Sequence, residues 1–306
     1  MKKVSAKRFD KTLKKVLIIG ASGFLGTALI KEFSEKFDVI GTSFPEKTNE
    51  FIQLDFNNSL QLNSVLDSVF PEIIVLAAAE ANIDLYESKP EISFNQINSA
   101  KQLTDWTKKN NCFLVFISTD SVFDGIKGNY SESDKSNPLC AYAKNKLETE
   151  KIVQQNPNHL ILRTSVLFGL PLTENKFIGK AILKLSQGEK VSAASDWKRN
   201  PTLTKDFALA LIQLLEKKQK GLFHAVGSDA LSMHKAALMI AEEFSASEDL
   251  VEEIKGSELN LPAKRPLDSS LNTSKLNSFG IKLSSFKEGL KFVHEKMNEE
   301  KKSRFK

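Results

Sequence analysis

Cysteine is scarce in this chain, and no stretch of it is apolar for long. Two cysteines among 306 residues are too few for a disulfide framework, and Cys112 and Cys140 lie too far apart for a metal-ligand motif. No apolar run approaches the roughly 18–20 residues that cross a bilayer, and no secretory signal pattern follows the basic N-terminus. These absences exclude a disulfide-stapled mini-protein and a membrane protein. They predict a cytoplasmic protein with two reduced thiols.

Histidine is also scarce, and its spacing gives no metal site. The four histidines show no i, i+4 pairing and no neighbouring Cys or Glu cluster of ligand character. We therefore predict no bound metal. Phenylalanine is abundant, with 21 residues, but these fall at apolar strand and helix positions. Stacking on nucleic acid would need aromatics interleaved with a basic stripe, so no nucleic-acid partner is predicted.

The formal net charge of +5 lies at the two ends of the chain. Residues 1–15 hold seven Lys/Arg against one Asp, and residues 296–306 hold five against two Glu. The body between them is therefore mildly acidic. Charged ends of this kind are typical of solvated segments. We predict a disordered basic tail over 1–14 and a second frayed tail over 296–306.

Short apolar runs alternate with helical patterns through the first half of the chain. Strands are predicted at 15–19, 38–40, 51–54, 72–76, 112–117 and 159–162, with helices such as 59–70 and 91–108 between them. Runs that are apolar on both faces and joined by helices are typical of a parallel sheet covered on both sides. The pattern predicts an α/β fold with a Rossmann-type doubly wound parallel sheet.

The pattern becomes less regular after Gly169. Helices are predicted at 176–187, 205–217, 232–244 and 286–296, joined by loops that contain proline. We predict a Rossmann domain over 15–169, completed by parts of 200–230, and a smaller, mostly helical substrate lobe over 170–295. This lobe would close one side of a cleft at the carboxyl ends of the strands, where open parallel sheets bind ligands.

A glycine-bearing turn stands between the first predicted strand and helix. In Gly20-Ala-Ser-Gly23-Phe-Leu-Gly26, Gly20 permits a tight turn, Gly23 lets backbone approach a pyrophosphate, and Gly26 lets the helix pack closely on the strand. Amides at the helix N-terminus attract phosphates. Three of the fourteen glycines in the chain fall in this one turn, which argues against an ordinary strand–turn–helix connection without a ligand. We predict a dinucleotide here, in contact with Gly20, Ser22, Gly23, Phe24, Leu25 and Gly26.

The end of the second strand indicates which dinucleotide. A carboxylate there usually holds the adenosine hydroxyls of NAD, whereas this chain offers the hydroxyls of Thr42 and Ser43, with Lys47 shortly after. We therefore expect NADPH to be preferred and NADH to be possible. The remaining expected cofactor contacts follow the third and fourth strands: Asp55, Phe56, Ala77 and Ala78.

Tyr142 and Lys146 lie one helical turn apart on the same face of a predicted helix. A phenol has an ordinary pKa of about 10, and a nearby ammonium and a positive nicotinamide both favour its anion. A hydroxyl at the end of the preceding strand can polarise a substrate carbonyl beside that phenol. We assign this role to Thr119, with Ser118 as second choice. Lys146 is also expected to hold the nicotinamide ribose.

These motifs resemble the dTDP-4-dehydrorhamnose reductase branch of the extended short-chain dehydrogenase/reductases. The resemblance runs nearly the length of the chain and includes the segments 118–125, 130–134, 162–164, 200–206, 221–227 and 264–276. It implies that hydride passes from NADPH or NADH to a 4-keto nucleotide sugar. Thr119, Tyr142 and Lys146 then match the catalytic triad of the family.

Two positions depart from the pattern of that branch. Rhamnose-forming reductases usually carry a tyrosine where this chain has Ser121 and an aromatic residue where it has Val166, and both positions are expected to face the sugar. Losing two flat side chains removes packing area that would select a hexose ring. In the second lobe, Arg199 and Arg265 would suit the diphosphate of a nucleotide sugar, with a surface salt bridge as the alternative.

Two other functions remain open. One is a non-catalytic NADP-binding regulator, because residues 78–80, 198–202 and 220–224 also resemble the beta subunit of methionine adenosyltransferase. The other is a nucleotide-sugar epimerase. A dehydratase is disfavoured, because these enzymes carry an acidic pair after the strand-end threonine and this chain has Asp120-Ser121. The sequence identifies neither the sugar nor the oligomeric state, and a homodimer is compatible with it.

Overall fold

The computed structural model of the chain describes residues 13–45, 48–80 and 82–304. Its strands are β1 Lys15–Ile19, β2 Asp38–Ser43, β3 Ile52–Gln53, β4 Ile73–Leu76, β5 Phe113–Thr119, β6 His159–Thr164, β7 Leu167–Phe168, β8 Val191–Ala194, β9 Lys198–Arg199, β10 Thr202–Leu203, β11 Gly221–His224, β12 Leu231–Ser232 and β13 Val251–Ile254. Its α-helices are α1 Phe24–Phe33, α2 Ser59–Val69, α3 Leu85–Ser88, α4 Pro90–Lys109, α5 Ala141–Val153, α6 Phe177–Ser186, α7 Thr204–Glu216, α8 Met233–Glu243, α9 Ser274–Ser278 and α10 Phe286–Arg304.

Seven strands form one parallel sheet in the order β11-β6-β5-β4-β1-β2-β3. The strand order reverses between β1 and β4, because the chain crosses from β3 at one edge to the far side of β1. Open parallel sheets bind ligands at such a reversal, outside the carboxyl ends of the strands. The sheet confirms the α/β doubly wound fold, and its seventh strand comes from residues 221–224.

Apolar strands make the sheet a buried layer between two sets of helices. Every residue of β4 is buried, and so is β1 after its first residue. One face packs against α1 and α7, and the other against α2, α4 and α5. Strands that are apolar on both faces require this double cover, which leaves the loops at the strand ends to carry the polar side chains.

A second apolar core lies outside the sheet. It joins α6, α8 and the start of α10 with the parallel pair β8 and β13, around Ile178, Ile182, Ile240, Phe286 and Leu290. The pairs β7–β10 and β9–β12 lie near its border with the sheet domain. This lobe places the loops at 196–203 and 261–271 above the carboxyl edge of β5 and β6, as the contacts of Arg199 and Ser269 below show.

The second basic tail differs from its prediction. Helix α10 continues to Arg304, so residues 296–304 are helical and not frayed. The helix starts on the second apolar core, and once it has started there each added residue gains a hydrogen bond at low cost. For the first tail, residues 1–12 lie outside the described residues. Within the ranges that are described, no helix is long and apolar enough to cross a membrane.

Candidate active site

The glycine turn joins the end of β1 to the start of α1. Gly20 has φ +92°, and a Cβ there would lie 2.7 Å from the Ala78 amide nitrogen. A Cβ on Gly26 would lie 2.1 Å from the Gly20 carbonyl oxygen. Both positions therefore exclude a side chain, and the turn brings β1, α1 and the segment after β4 into direct contact. Ser22 and Gly23 are exposed, Phe24 is half-buried and Leu25 is buried.

The Thr42 hydroxyl, which was expected to contact the adenosine, lies beneath the glycine turn. Thr42 is 1% exposed, and its Oγ1 accepts a hydrogen bond from the Gly20 amide over 3.2 Å. Its carbonyl accepts another from the Ala21 amide. Ser43 is equally buried, and the first exposed side chain after them is Phe44. Thr42 therefore holds the shape of the glycine turn, and Lys47 lies outside the described residues.

The other predicted cofactor positions follow β3 and β4. Ala77 and Ala78 come directly after β4 and are half-buried. Phe56, Ala78 and Lys146 line one small cavity between the sheet and α5, together with Phe116 and Thr149. Asp55 is not part of this lining, and its Oδ1 accepts a hydrogen bond from the Asn57 amide.

The predicted catalytic residues come together at the carboxyl end of β5. Tyr142 lies in the first turn of α5, and Lys146 follows one turn later with its Nζ 5.9 Å from the centre of the Tyr142 ring. Lys146 Nζ donates to the Ile117 carbonyl oxygen over 3.0 Å. Thr119 is the last residue of β5, and its hydroxyl lies close enough to the Tyr142 phenol to lower the pKa of that phenol. Ser118 points elsewhere, since its hydroxyl donates to Glu150 Oε1.

The protein environment shifts the pKa of both the Tyr142 phenol and the Lys146 amine. Burial raises the pKa of the Tyr142 phenol, and Tyr86 and Asp120 raise it further, whereas the nearby Thr119 hydroxyl lowers it. Burial lowers the pKa of Lys146 to about 8, against the attraction of Glu150. Burial disfavours the charged form of each group. The phenol is therefore held protonated, as a proton donor requires.

Asp120 connects several residues of the site, a role that its position in the sequence did not indicate. Its carboxylate accepts hydrogen bonds from Thr119, from Ser165 over 2.8 Å and from Ser269 over 2.5 Å. The Arg199 Nε lies 3.7 Å from its Oδ2. Buried charges need such partners. Asp120 thus fixes the Thr119 hydroxyl and connects the end of β5 to the second lobe.

Glu150 is a second residue that the sequence analysis missed. It lies on α5 one turn after Lys146, and its carboxylate is paired with both Arg163 Nε and Nη2, at 2.9 and 2.7 Å. Both side chains of this pair are buried. The i, i+4, i+8 spacing of Tyr142, Lys146 and Glu150 is the signal that could have indicated it.

The four predicted substrate residues occupy different environments. Ser121 and Val166 are half-buried near the ends of β5 and β6. Arg199 is buried, and its guanidinium donates to the backbone carbonyls of Lys198, Leu267 and Pro266. Most of the guanidinium N–H donors of Arg199 are therefore already hydrogen-bonded inside the protein. Arg265 is more accessible and is paired with Asp84 at 3.1 Å.

Comparison with known proteins identifies the family. A family model described as the RmlD substrate binding domain matches residues 14–299. The chain belongs to this family. The methionine adenosyltransferase 2 subunit beta of Mus musculus is 32% identical over 290 residues, which cover 91% of this chain and 86% of that protein. A dTDP-4-dehydrorhamnose reductase of Aggregatibacter actinomycetemcomitans is 32% identical over 299 residues, covering 92% and 98%.

One solved structure shares the fold of this chain and holds a bound cofactor of its own. The dTDP-4-dehydrorhamnose reductase of Bacillus anthracis, in complex with NADP, has a TM-score of 0.85 at 25% identity, over 93% of this chain and 99% of that one. The resemblance stated from the sequence is thereby confirmed. No group of three or more His, Cys, Asp or Glu residues that could hold a metal occurs in the described part of this RmlD-family chain.

The glycine turn of this RmlD-family chain fits a dinucleotide. Gly23 precedes α1 without a side-chain cap, and the first turn of α1 holds no acidic residue. The first amides of a helix have no partner within it, so these amides suit a pyrophosphate. Gly23 is exposed and has no side chain, so the backbone at this end of the turn is open to a ligand. The residues present therefore fit NADP.

Proposed function

We propose that this protein is an NADP-dependent reductase that acts on the 4-keto group of a nucleotide-linked sugar. The observation that carries the proposal is the convergence of Tyr142, Thr119 and Lys146 beside the glycine turn. Lys146 and Ala78 line one small cavity, and Ala78 lies against Gly20. A proton donor and a dinucleotide turn at one sheet edge are what carbonyl reduction needs.

The relatives support the same reaction class. The reductases of Aggregatibacter and Bacillus match the chain over more than nine-tenths of its length, and the Bacillus protein was solved with NADP. The lack of a carboxylate in Gly41–Phe44 also favours NADP over NAD. The free, buried thiols of Cys112 and Cys140 fit a cytoplasmic setting.

Each residue of the site has a distinct role in the proposed reaction. NADPH, when bound, supplies the hydride. Tyr142 gives its phenolic proton to the carbonyl oxygen as that oxygen gains charge, and Thr119 orients the same oxygen by a hydrogen bond. Lys146, positively charged below pH about 8, stabilises the phenolate that remains and holds the nicotinamide ribose.

The substrate lobe is proposed to hold the rest of the molecule. Ser121 and Val166 would lie against the sugar, and Arg265 would meet the diphosphate, since its side chain stays partly accessible while it is paired with Asp84. Arg199 has a different role in this proposal. Its donors hold the carbonyls at 266–267 and its Nε lies beside Asp120, so it maintains the floor of the site.

A regulatory role is the second candidate. It is favoured by the 32% identity to the methionine adenosyltransferase 2 subunit beta over 91% of this chain. A regulator would bind NADP at the same turn and leave the tyrosine without a substrate. The two candidates therefore agree on the cofactor and differ on turnover.

The deciding experiment is a panel of 4-keto nucleotide sugars with NADPH, followed by loss of nicotinamide absorbance. The reductase proposal predicts turnover of at least one member, with dTDP-4-dehydrorhamnose as the first to test. NADPH binding by calorimetry serves as the control for a folded, loaded protein. Tight binding without turnover of any member would contradict the reductase and favour the regulator.

A further inference from the structure

A short turn after β4 contacts three separate parts of the molecule. Residues 84–87 include the start of α3 and carry Asp84, Tyr86 and Glu87. Each of these side chains has a partner outside the turn. The partners are the second lobe, the Tyr142 ring and the first residue of α5, as the contacts below show. No motif in the sequence pointed to this segment.

Tyr86 is packed directly against the proposed proton donor. Its ring meets the Tyr142 ring edge to face, with centroids 5.2 Å apart and planes at 75°. Tyr86 is 1% exposed. Its hydroxyl donates to Gln96 Oε1 on α4 over 2.9 Å, which fixes the far end of the ring. Edge-to-face contacts are directional, so this ring limits how far the Tyr142 phenol can turn.

Glu87 fixes the helix that carries Tyr142. Its Oε1 accepts a hydrogen bond from the Ala141 amide over 2.7 Å. Cys140, at the N-cap of α5, supplies no side-chain cap of its own. The first amides of a helix need an acceptor, and a carboxylate there is favoured by the helix dipole. Glu87, which lies on α3, therefore caps the N-terminus of α5.

Asp84 extends the same turn to the second lobe. Its Oδ1 accepts hydrogen bonds from the Ala263 amide over 3.0 Å and from Arg265 Nη2 over 3.1 Å. Ala263 packs in one apolar cluster with Cys140 and Ala143, and Tyr142 borders that cluster. The turn is therefore held on one side by the second lobe and on the other by α5.

We propose that the turn at residues 84–87 sets the orientation of the Tyr142 phenol, with Tyr86 as the positioning residue. The inference rests on the proposed function, since it assumes that Tyr142 donates the proton. Tyr86 touches neither the glycine turn nor Lys146 in the contacts described, so its effect passes through the Tyr142 ring. A misaligned phenol should slow proton transfer while leaving substrate binding almost intact.

The kinetic test compares three variants. Tyr86→Leu removes the ring and is expected to lower kcat about tenfold or more with KM within about threefold of wild type. Tyr86→Phe keeps the edge-to-face contact and loses only the hydroxyl bonds to Gln96 and to the Glu80 carbonyl, so it should keep most of kcat. Tyr130→Leu is the matched control, because Tyr130 is also a buried, stacked and hydrogen-bonded tyrosine. It should leave kcat near wild type.

A spectroscopic test does not depend on turnover. The chain has only three tyrosines, so ring-labelled tyrosine gives three sets of NMR signals that Tyr→Phe variants assign. Glu87→Ala is the deciding variant, because it removes the bond to α5 from an exposed site and keeps the Tyr86 ring beside Tyr142. The Tyr142 signal should move in Glu87→Ala and stay almost in place in Tyr86→Phe. Tyr86→Leu is left out of this test, because loss of the Tyr86 ring changes the signal of its neighbour whatever the orientation of the phenol.

The outcomes separate the two proposals. An active wild type whose Tyr86→Leu variant keeps kcat overturns the positioning role and leaves the reductase standing. An inactive wild type contradicts the reductase, and the Tyr142 signal in Glu87→Ala then decides whether the turn orients Tyr142. An unchanged Tyr142 signal in Glu87→Ala overturns the inference.

Discussion

The Lys146 ammonium donates to the Ile117 carbonyl oxygen over 3.0 Å, so the helix that carries Tyr142 is tied to the strand that ends in Thr119. This bond crosses the layer between α5 and β5, inside the protein. It holds a cation in a buried position, where its charge acts on the Tyr142 phenol with little screening by water. The same burial makes the charge sensitive to pH.

The pH dependence of kcat/KM should report Lys146. Its ordinary pKa of 10.5 is lowered to about 8, so the amine is charged below pH 8 and neutral above it. The neutral amine no longer stabilises a phenolate, and kcat/KM is expected to fall as pH rises through about 8. A profile measured from pH 6 to 10 checks this.

Lys146→Arg is the matched variant for that profile. A guanidinium stays charged throughout this pH range, so the alkaline fall should disappear even though the rate is lower. A wild-type profile that stays level to pH 10, or a Lys146→Arg variant that retains the same fall, would contradict the assignment.

The buried pair of Glu150 and Arg163 should dominate the stability of the α5–β6 contact. Glu150→Gln leaves the Arg163 guanidinium buried without a counter-charge, and we expect a loss of about 3–5 kcal/mol in the free energy of unfolding. Urea denaturation measures it. Glu148→Gln is the control, because Glu148 lies on the same helix in an exposed pair with Lys151 and should change stability little. Equal effects of the two variants would refute the prediction.

Gly26 should be indispensable to the cofactor turn. A Cβ at this position would lie 2.1 Å from the Gly20 carbonyl oxygen, so Gly26→Ala must displace the turn. We expect NADPH affinity to fall about tenfold or more, measured by calorimetry. Gly179→Ala in α6 is the control, because a Cβ there would lie 2.6 Å from the Thr173 carbonyl oxygen, and this clash far from the turn should leave NADPH affinity unchanged. Unchanged NADPH affinity in Gly26→Ala would place the cofactor elsewhere.

NADPH should bind more tightly than NADH, and the end of β2 should control the difference. Phe44→Asp introduces a carboxylate at the first exposed side chain after β2, beside the place expected for the 2′-phosphate, and should weaken NADPH binding about tenfold or more. Phe44→Asn introduces a side chain of the size of Asp without its charge and should weaken NADPH binding much less. Thr42 and Ser43 are unsuitable for this test because both are buried, and the Thr42 hydroxyl supports the glycine turn. Tighter binding of NADH by the wild-type protein would refute the preference.

Periodicity and spacing were enough to predict the sheet, the glycine turn and the place of Tyr142 on a helix. These features are local: apolar runs set the strands, and the 142/146 spacing sets the shared helix face. The bounds of most strands and helices in the structure differ by a few residues from the predicted ones. The predicted strand at 51–54, for example, is only Ile52–Gln53 in the structure.

The features that were missed depend on tertiary contacts. Tyr86 reads as an ordinary core aromatic until its ring is placed on Tyr142. Thr42 reads as an exposed hydroxyl at a strand end, but the close approach of the glycine turn covers it. Residues 296–304 read as a frayed tail, whereas they continue the helix that begins on the second apolar core at Phe286 and Leu290. No pattern along the chain encodes these three relationships.

The most direct test of the account is the turnover of a 4-keto nucleotide sugar by wild type and Tyr142→Phe, both loaded with NADPH. Phenylalanine keeps the ring against Tyr86 and removes only the proton donor. We expect kcat to fall about 10²–10⁴-fold while the dissociation constant of NADPH stays near wild type. Turnover by Tyr142→Phe at the wild-type rate would contradict the central claim that this phenol protonates the substrate.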